Sequence, residues 1–569
     1  MVSAAVYVNC LPNEFTQDDA YYIVRNEQIR DAPWSLFVQP YLDSPVYRPL
    51  TMLTYAVDFS IGGLDPRGFH LVSLLLHAAA TLLLYALIRE LLDPAHGAPM
   101  RGGAEQARRH QDWSRGQGAA FAAALLFAVH PIHTEAVAAA VGRAELLTAI
   151  FLFAAWLLHL RGRAWAAALG FLLALLSKES AAVFLALPLL GDLTCRERRR
   201  WAAYALYGGA FLLYAALRWV ALGSPLEYIG YVPFLDNPIA DLPLSWRVLN
   251  ALAVAWRYLG LQLFPARLSA DYSFNAIPVA RSLAPLLPAL LGTLALLGLW
   301  AWSYRRAPHA FLAGAMYLAG FALTSNVLLP LPTILGERLA YVPSAGLCLL
   351  AGLGWAWFVE RRRVAAIAIL TMASVALAAR TVVRNRDWRD NLTLFTAAVA
   401  ATPENAKAHH NLGALLSGQG DLDRARVELD TAYRIYPEYP DLLSSLGVLY
   451  FRMGDKTRAV SFLSEAVRLA DPGNPNYDDL VINDAAMLLD VGRHEEALSL
   501  LDRVIATSPR AARAYFIRAL LHIQRSERGG ALADLQTALR LDPDNRRAQE
   551  TLASLMEARS EGENGGGEQ

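Results

Sequence analysis

The chain has 569 residues, of which 55% are hydrophobic, and its 51 basic and 51 acidic side chains give a formal net charge of zero. A chain of this length predicts several domains, and the zero net charge excludes a global electrostatic preference for nucleic acid. Only three basic residues are lysine, which indicates a GC-rich genome of bacterial type. The three cysteines lack metal-ligand spacing, so neither a disulfide framework nor a zinc site is predicted.

The chain opens with a short apolar segment and two adjacent carboxylates. Residues 2–11 are too few to cross a bilayer, and we interpret them as the end of a first helix whose beginning is missing. A cleaved signal peptide is the alternative, although the usual basic n-region is absent. Asp18 and Asp19 follow. Taken alone, the pair is typical of an N-cap for a helix over 20–26, and a catalytic pair is the second interpretation.

Apolar segments recur up to about residue 380, and arginine clusters lie between them. We predict crossing or re-entrant helices at 68–91, 117–130, 145–160, 163–177, 180–193, 201–222, 284–303, 309–329, 340–358 and 364–380. The arginine clusters are Arg101, Arg108, Arg109 and Arg115; Arg161 and Arg163; Arg196, Arg198, Arg199 and Arg200; Arg305 and Arg306; and Arg361, Arg362 and Arg363.

Arginine-rich loops mark the cytoplasmic side of a membrane protein. If all five clusters are cytoplasmic, the stretch 249–264 cannot cross, and it lies as an interfacial or re-entrant helix in an outer loop of about 223–283. With the first helix this gives eleven crossings, the N-terminus inside and the C-terminus outside. The acidic pair and most other unusual polar residues then share one outer face.

Beyond Asn405 the sequence repeats at about 34 residues. Small residues and prolines recur in register, with an insertion near 471–476: Gly413, Ala425, Ala432 and Pro437; Gly447, Ala459 and Ala466; Ala485, Ala497, Val504 and Pro509; Ala519, Ala531, Ala538 and Pro543. This spacing is typical of tetratricopeptide repeats, in which small residues let paired helices pack closely. Four repeats would form a groove for an extended peptide or a partner protein; a spacer or dimerisation arm is the alternative.

Several polar motifs share the predicted outer face with the acidic pair. They are His130, His133 and Glu135; Arg143 and Glu145; Lys178 and Glu179; Asp271; and Arg338. Ionisable residues at membrane depth are costly and indicate function, and a guanidinium such as that of Arg338 binds phosphate bidentately. Two other interpretations stay open: a metal site at the histidines, and an ordinary surface turn at 177–180.

In this order the motifs resemble the transmembrane and tetratricopeptide-repeat O-mannosyltransferases, in the GT-C class of polyprenol-dependent glycosyltransferases. The resemblance rests on residues 18–19, 47–51, 68–70, 130–137, 142–145, 177–179, 268–274 and 337–344 and on the repeats, and it covers nearly the whole chain. The sequence departs from the family in its truncated first helix and its few repeats. The resemblance implies an all-α fold: a polytopic GT-C-type membrane domain followed by an α-solenoid.

The resemblance also implies a polyprenyl-phosphate sugar donor in the bilayer, with mannose as the sugar, and a protein Ser/Thr acceptor on the outer side, with inversion of the anomeric centre. We expect Asp18 to be the base, because partial desolvation raises the pKa of a carboxylate, and Asp19 to orient it, or to bind sugar hydroxyls or a divalent cation. Arg338 is expected to hold the leaving phosphate, with Lys178 and Arg143 as substitutes. The expected substrate pocket contains Arg48, His130, His133, Glu135, Glu145, Glu179, Asp271 and Tyr341.

The predicted domains are a membrane domain at 1–385, a linker at 386–404, a repeat domain at 405–556 and a disordered tail at 557–569. The predicted location is a bacterial inner membrane with a periplasmic site, or the endoplasmic reticulum membrane in a eukaryote. Three other functions are alternatives to this one. A non-catalytic membrane scaffold has no need of such a polar face, and a flippase predicts mid-span charges and internal repeats. A GT-C transferase that modifies a lipid or a glycan stays open.

Overall fold

The computed structural model describes residues 2–40, 46–93, 103–195, 201–224, 232–473 and 476–564. These residues form helices and connecting loops, with no β-strand among them, so the predicted all-α fold is confirmed. The chain divides into two compact units, Met1–Asn405 and Ala406–Gln569. Of the predicted arginine clusters, Arg101 and residues 196–200 lie outside the described residues.

Unit 1 is built from sixteen α-helices in its described part. They are α1 (Val2–Tyr7), α2 (Gln28–Asp31), α3 (Pro49–Gly62), α4 (Pro66–Leu91), α5 (Gly103–Val129), α6 (Thr134–Ala138), α7 (Arg143–Leu160), α8 (Ala164–Ser177), α9 (Leu187–Cys195), α10 (Trp201–Leu222), α11 (Leu244–Leu263), α12 (Leu287–Arg306), α13 (Pro308–Ala322), α14 (Tyr341–Val359), α15 (Arg363–Asp387) and α16 (Asn391–Ala401). Short helical turns join them at Val8–Cys10, Ala20–Val24, Pro33–Phe37, Pro131–His133, Ala140–Gly142, Glu179–Leu185, Ala284–Leu286 and Glu337–Ala340.

Unit 1 is a multi-pass membrane unit by the length and composition of its helices. Six helices are long and apolar enough to cross a bilayer: Pro66–Leu91, Ala140–Leu160, Trp201–Leu222, Ala284–Arg306, Glu337–Val359 and Arg363–Asp387. A seventh candidate is the pair Ser114–Val129 and Pro131–Ala138, which is bent by 51°. The other predicted spans fall on shorter helices, α8, α9 and α13, and the predicted non-crossing stretch 249–264 lies in α11.

The core of unit 1 brings α14 against α5. Gly352 on α14 makes this approach possible, because a Cβ atom there would overlap the carbonyl group of Ala119 on α5. The same packing buries the side chains of Phe127 and Tyr341 completely. The turn Glu337–Ala340, which leads into α14, carries Arg338, the residue predicted to bind phosphate. The packing of α14 on α5 therefore helps to fix the position of this turn.

Unit 2 consists of the paired helices that the 34-residue repeat predicts. They are α17 (Ala406–Gln419), α18 (Leu422–Ile435), α19 (Pro440–Arg452), α20 (Lys456–Leu469), α21 (Tyr477–Asp490), α22 (His494–Thr507), α23 (Ala512–Gln524), α24 (Arg528–Leu541) and α25 (Arg546–Asn564). Gly413 permits close packing within the first pair, since a Cβ atom there would lie 2.7 Å from Leu429 Cγ. The repeated alanines are completely buried: Ala425, Ala432, Ala459, Ala466, Ala485, Ala497, Ala519, Ala531 and Ala538.

The segments between and after the predicted domains are partly helical. The predicted linker 386–404 contains α16, which begins with a capping box at Asp390 and Thr393. The predicted disordered tail 557–569 overlaps the end of α25 at Asn564, and residues 565–569 lie outside the described residues.

Candidate active site

The two carboxylates of the acidic pair lie in different environments. The side chain of Asp19 is completely buried, and its carboxylate accepts hydrogen bonds from the backbone N–H groups of Thr16 (3.1 Å), Ala140 (3.3 Å) and Val141 (2.8 Å). Asp19 precedes the turn Ala20–Val24, but its side chain makes no capping bond to that turn. Burial raises the pKa of Asp19 to about 6, against the lowering effect of the three N–H donors.

The loop that carries the pair is held by the segment that joins α15 to α16. The backbone N–H of Glu14 donates to the carbonyl of Arg389 at 2.8 Å, and that of Gln17 donates to Asn391 Oδ1 at 2.9 Å. Gln17 adopts a positive φ of 46° immediately before Asp18. These contacts turn the side chain of Asp18 outwards while that of Asp19 points into the protein.

Asp18 meets Arg338, the residue predicted to bind phosphate. One oxygen of Asp18 lies 3.4 Å from Arg338 Nη1, although 320 residues separate the two in sequence. Glu135 holds Arg338 from the other side: its carboxylate accepts the backbone N–H of Arg338 at 2.9 Å and lies 3.4 Å from Nε. The side chains of Asp18 and Arg338 are 49% and 34% exposed, whereas that of Glu135 is 6% exposed. A soluble ligand therefore has access to Asp18 and Arg338 but not to Glu135.

A buried network beneath Arg338 was not foreseen from the sequence. Glu337 and Arg384 are both completely buried, and Arg384 Nη2 lies 3.4 Å from Glu337 Oε2. Glu337 Oε1 also accepts the N–H of Ser269 at 2.7 Å and the hydroxyl hydrogen of Tyr272 at 2.8 Å. Glu337 thus ties α15 and the loop that carries Ser269 and Tyr272 to the turn that carries Arg338. The sequence shows Glu337 directly before Arg338, but the motif alone predicts a role only for the arginine.

A second charged group combines three of the predicted pocket residues with Lys178. Arg48 forms a bidentate pair with Glu179, at 3.0 and 2.6 Å, and Lys178 forms a buried ion pair with Glu145. Burial alone would raise the pKa of Glu179, but Arg48 and Lys178 lower it below its usual range, whereas burial lowers the pKa of Lys178.

We treat these two charged groups together as the candidate site. Their residues come from five segments of unit 1 that are far apart in sequence. The residues that form the site are Asp18, Arg48, Glu135, Glu145, Lys178, Glu179 and Arg338.

Arg143 lies apart from this group in a buried pair of its own. Its guanidinium is completely buried and contacts Asp58 Oδ2 at 2.5 Å, the carbonyl of Phe69 at 2.9 Å and the hydroxyl of Thr54 at 3.2 Å. Its charge also lies over the ring of Tyr55, 4.9 Å from the centroid. Asp58, which the sequence reading missed, is an acidic residue within the largely apolar helix α3.

The remaining predicted pocket residues make structural contacts. His130 Nε2 donates to the carbonyl of Gln262 at 2.7 Å, while Nδ1 accepts the N–H of Ile132. His133 bonds to the carbonyl of Phe127 and to Ser344, and Tyr341 bonds through its hydroxyl to His77 at 2.8 Å. Asp271 accepts the N–H of Ser273 and the amide of Asn405. In the described chain no three His, Cys, Asp or Glu side chains form a group that could hold a metal ion.

Comparison with known proteins agrees with the motifs. Tetratricopeptide-repeat family models match residues 377–440, 488–546 and 416–481. The chain is 29% identical over 459 residues, 77% of its length, to "Protein O-mannosyl-transferase F38B6.6" of Caenorhabditis elegans, and 27% identical over 96% of its length to "Protein O-mannosyl-transferase TMTC3" of Homo sapiens. The predicted resemblance to the TMTC O-mannosyltransferases is therefore confirmed. The chain spans 62% and 64% of the lengths of these two relatives.

Among solved structures, the tetratricopeptide-repeat protein YrrB is 21% identical and covers 35% of this chain and 96% of its own, with a TM-score of 0.24. A score this low supports no conclusion about the arrangement of the whole chain.

Proposed function

We propose that the chain is an integral-membrane O-mannosyltransferase that moves mannose from a polyprenyl-phosphate donor to a hydroxyl group of a protein Ser or Thr. The observation that carries the proposal is the 3.4 Å pairing of Asp18 with Arg338. Transfer from a phosphate donor needs a base for the acceptor hydroxyl and a cation for the leaving phosphate. The pair presents both groups, accessible from solvent, at the start of a candidate membrane helix. The named relatives support the choice of reaction.

In the proposed reaction the acceptor oxygen attacks the anomeric carbon as the bond from that carbon to the phosphate oxygen breaks. The electron pair of the broken bond stays on the phosphate, whose growing charge the Arg338 guanidinium stabilises. Asp18 takes the proton of the acceptor hydroxyl. Attack from the side opposite the leaving phosphate inverts the anomeric centre. Glu135 holds the arginine in position through its backbone N–H and Nε.

The position of the site supports an active centre on the outer face. Glu145 lies near the start of α7, and Arg161 follows the end of that helix, which has 18 residues. Arg338 precedes α14, which has 19 residues, and Arg361 follows it. Helices of this length span about 27–29 Å, close to the thickness of the hydrocarbon core. If the arginine clusters are cytoplasmic, the site faces the periplasm, or the lumen of the endoplasmic reticulum in a eukaryote.

Unit 2 supports a protein acceptor over a lipid or glycan acceptor. Tetratricopeptide repeats build concave surfaces that bind extended peptides and partner proteins. In the proposal, unit 2 recruits the acceptor and unit 1 performs the transfer. A membrane anchor that only displays the repeats would have no use for the charges that surround Arg338, which are costly to bury.

The test is sugar transfer by the purified full-length chain in lipid nanodiscs. Polyprenyl phosphates that carry different sugars are offered with protein and peptide acceptors, with and without a chelator of divalent cations, and products are identified by mass spectrometry. The Asp18→Asn variant should lose a factor of about 10²–10⁴ in rate. Asp241→Asn, at an exposed aspartate outside the site, is the matched control and should retain the wild-type rate. A near wild-type rate of transfer by Asp18→Asn would refute the assignment of Asp18 as the general base.

Two further outcomes separate this proposal from its rivals. Transfer to lipid or glycan acceptors, without transfer to protein, would identify a different GT-C activity. No transfer from any polyprenyl-phosphate donor would favour a scaffold.

A further inference from the structure

α11 is hydrogen-bonded to both segments that hold the Glu135–Arg338 pair. Arg338 lies in the turn Glu337–Ala340, and Glu135 lies in α6, which directly follows the turn Pro131–His133. Each turn is bonded to α11 through the residue that immediately precedes it. The two bonds come from the second half of α11, so one short stretch of helix holds both partners of the pair.

The hydroxyl of Tyr258 on α11 holds the start of the turn that carries Arg338. It accepts the backbone N–H of Gly336 at 2.9 Å and donates to the carbonyl of the same residue at 3.1 Å. Gly336 has no side chain with which to cap the turn, so the partner of its N–H comes from another helix. Tyr258 is 2% exposed, and water therefore has little access to these two bonds.

His130 makes the equivalent link to the segment of Glu135. Its Nδ1 accepts the N–H of Ile132 at 3.1 Å, which places the ring hydrogen on Nε2. Nε2 donates to the backbone carbonyl of Gln262 at 2.7 Å. That carbonyl lies in the last turn of α11, where carbonyl groups lack partners within the helix. His130 thus caps the turn that leads to Glu135 and ties it to α11.

The two contact points lie on one face of α11. Tyr258 and Gln262 are four residues apart, which places them one helical turn apart on the same side. The Glu135 carboxylate accepts the N–H of Arg338 at 2.9 Å and so joins the two segments directly. A single buried apolar cluster contains residues of all three elements: Ala251, Val254 and Leu261 from α11, Ile132 from the first turn, and Leu339 and Ala340 from the second.

We propose that α11 positions the guanidinium of Arg338 for the phosphate of the donor, with Tyr258 and His130 as the positioning residues. Tyr258 fixes the turn of Arg338, and His130 fixes the segment of Glu135, so Glu135 holds the arginine in one orientation. The inference rests on the proposed function for the identity of the donor. It replaces the predicted role of His130 in the substrate pocket, and it gives a function to the stretch 249–264, which was predicted not to cross the membrane.

Orientation matters because an arginine binds phosphate through two parallel N–H groups, which need the plane of the guanidinium to face the ligand. The Arg338 side chain is 34% exposed and therefore relies on the backbone beneath it for its direction. A misplacement of about 1 Å at a binding group can cost as much as about 100-fold in rate.

The first test needs no ligand and measures hydrogen exchange at the backbone N–H of Arg338, in the full chain in nanodiscs. That N–H bonds to Glu135, so its exchange reports the Glu135–Arg338 contact and not the bond that is deleted. Tyr258→Phe keeps the ring and removes the hydroxyl, and exchange should become about 10-fold faster. His130→Ala should have the same effect. His130→Gln keeps an N–H donor for the Gln262 carbonyl and should restore slow exchange.

The second test measures the affinity of the same variants for bare polyprenyl phosphate, with the corresponding polyprenol as the probe without phosphate. Tyr258→Phe should bind the phosphate about 10-fold more weakly, the factor expected for one lost charge-assisted hydrogen bond, and should bind the polyprenol unchanged. In the Arg338→Ala background the same substitution should have no further effect, because Tyr258 acts through Arg338.

Tyr317→Phe is the matched control for both tests. It removes a phenol hydroxyl that accepts a hydrogen bond from the side chain of Gln262 at 3.2 Å. It should leave both the exchange at Arg338 and the affinity for polyprenyl phosphate at the wild-type values. Equal acceleration of exchange in Tyr317→Phe and Tyr258→Phe would show a general loosening of the fold and would overturn the inference.

The remaining outcomes separate the inference from the proposed function. Wild-type exchange at Arg338 in both Tyr258→Phe and His130→Ala would overturn the positioning role, as would a further loss of affinity from Tyr258→Phe in the Arg338→Ala background. Faster exchange in these variants of a chain that binds no polyprenyl phosphate would support α11 as the positioning element and refute the proposed donor.

Discussion

Replacement of Glu337 should disturb the position of Arg338 without removing a group that takes part in the proposed reaction. It lies next to Arg338 but points away from solvent, and its carboxylate receives hydrogen bonds from Ser269, Tyr272 and Arg384. No part of the proposed reaction uses Glu337 itself. Its loss should therefore act through the position of Arg338 and the stability of unit 1.

The expected cost follows from the partners that remain. Glu337→Ala leaves the buried hydroxyl of Tyr272 without its acceptor, at about 1–3 kcal/mol, while the N–H of Ser269 keeps the Tyr272 oxygen at 3.1 Å. Arg384 keeps Asp387 at 3.0 Å, so its charge is not left alone. Because Arg384 retains this partner, only part of the usual cost of about 3–5 kcal/mol for breaking a buried ion pair applies, and we expect a total loss of about 4 kcal/mol in the free energy of unfolding. Glu337→Gln keeps an oxygen acceptor and should lose about 2 kcal/mol.

Glu360 offers a matched control just beyond the other end of α14. It pairs with Arg115 at 3.4 Å, but both side chains are well exposed, and such surface pairs contribute at most about 1 kcal/mol. In nanodiscs the unfolding midpoint of Glu337→Ala should fall by about 5 °C, and that of Glu360→Ala by about 1 °C. The sugar-transfer rate at a temperature where both remain folded should fall for Glu337→Ala only. Equal midpoints and equal rates for the two alanine variants would refute the reasoning.

Four further predictions concern Arg338, the acidic pair Asp18 and Asp19, and unit 2. Arg338→Ala should raise the KM for the donor and change the KM for the acceptor little. Asp18→Asn should bind bare polyprenyl phosphate about 2- to 5-fold more tightly, because the substitution removes an anion that competes for Arg338. Weaker binding by Asp18→Asn would count against the pairing of Asp18 with Arg338. Deletion of 406–569 should reduce transfer to protein acceptors more than transfer to short peptides, and equal reductions would favour a spacer role for the repeats. The raised pKa of Asp19, about 6 against the ordinary 3.8, means that its stabilising contribution is complete below pH 4 and is lost as the pH rises through 6, by about 3 kcal/mol. Between pH 4 and pH 7 the unfolding free energy of the wild type should therefore fall relative to that of Asp19→Asn, and parallel curves would contradict it.

The repeats were predictable from the sequence because close helix packing demands particular residues at particular positions. Gly413 and the alanines that follow at fixed offsets admit nothing larger against the partner helix. The apolar helices of unit 1 were equally predictable, because the length and composition of a segment can be judged without knowing what it contacts in the fold.

The pairing of charges was not predictable, since it depends on contacts between distant segments. An arginine at membrane depth indicates function by default, yet Arg143 is completely buried and pairs with Asp58 on another helix. Arg338, selected by the same argument, is a third exposed and meets Asp18 instead.

The pairing of these charges suggests why the site is built from ion pairs and not from single cations. A buried or half-buried arginine without a counter-charge would be costly to desolvate, and Asp18 and Glu135 supply that counter-charge to Arg338. In the proposed reaction, the phosphate of the donor competes with these carboxylates for the guanidinium. Glu135 is buried and also bonded to the backbone, so Asp18, the exposed partner at 3.4 Å, is the one that yields. Binding of the donor would thus free the Asp18 carboxylate beside the anomeric carbon. The ion pair that stabilises Arg338 in the empty site would in this way couple donor binding to proton transfer.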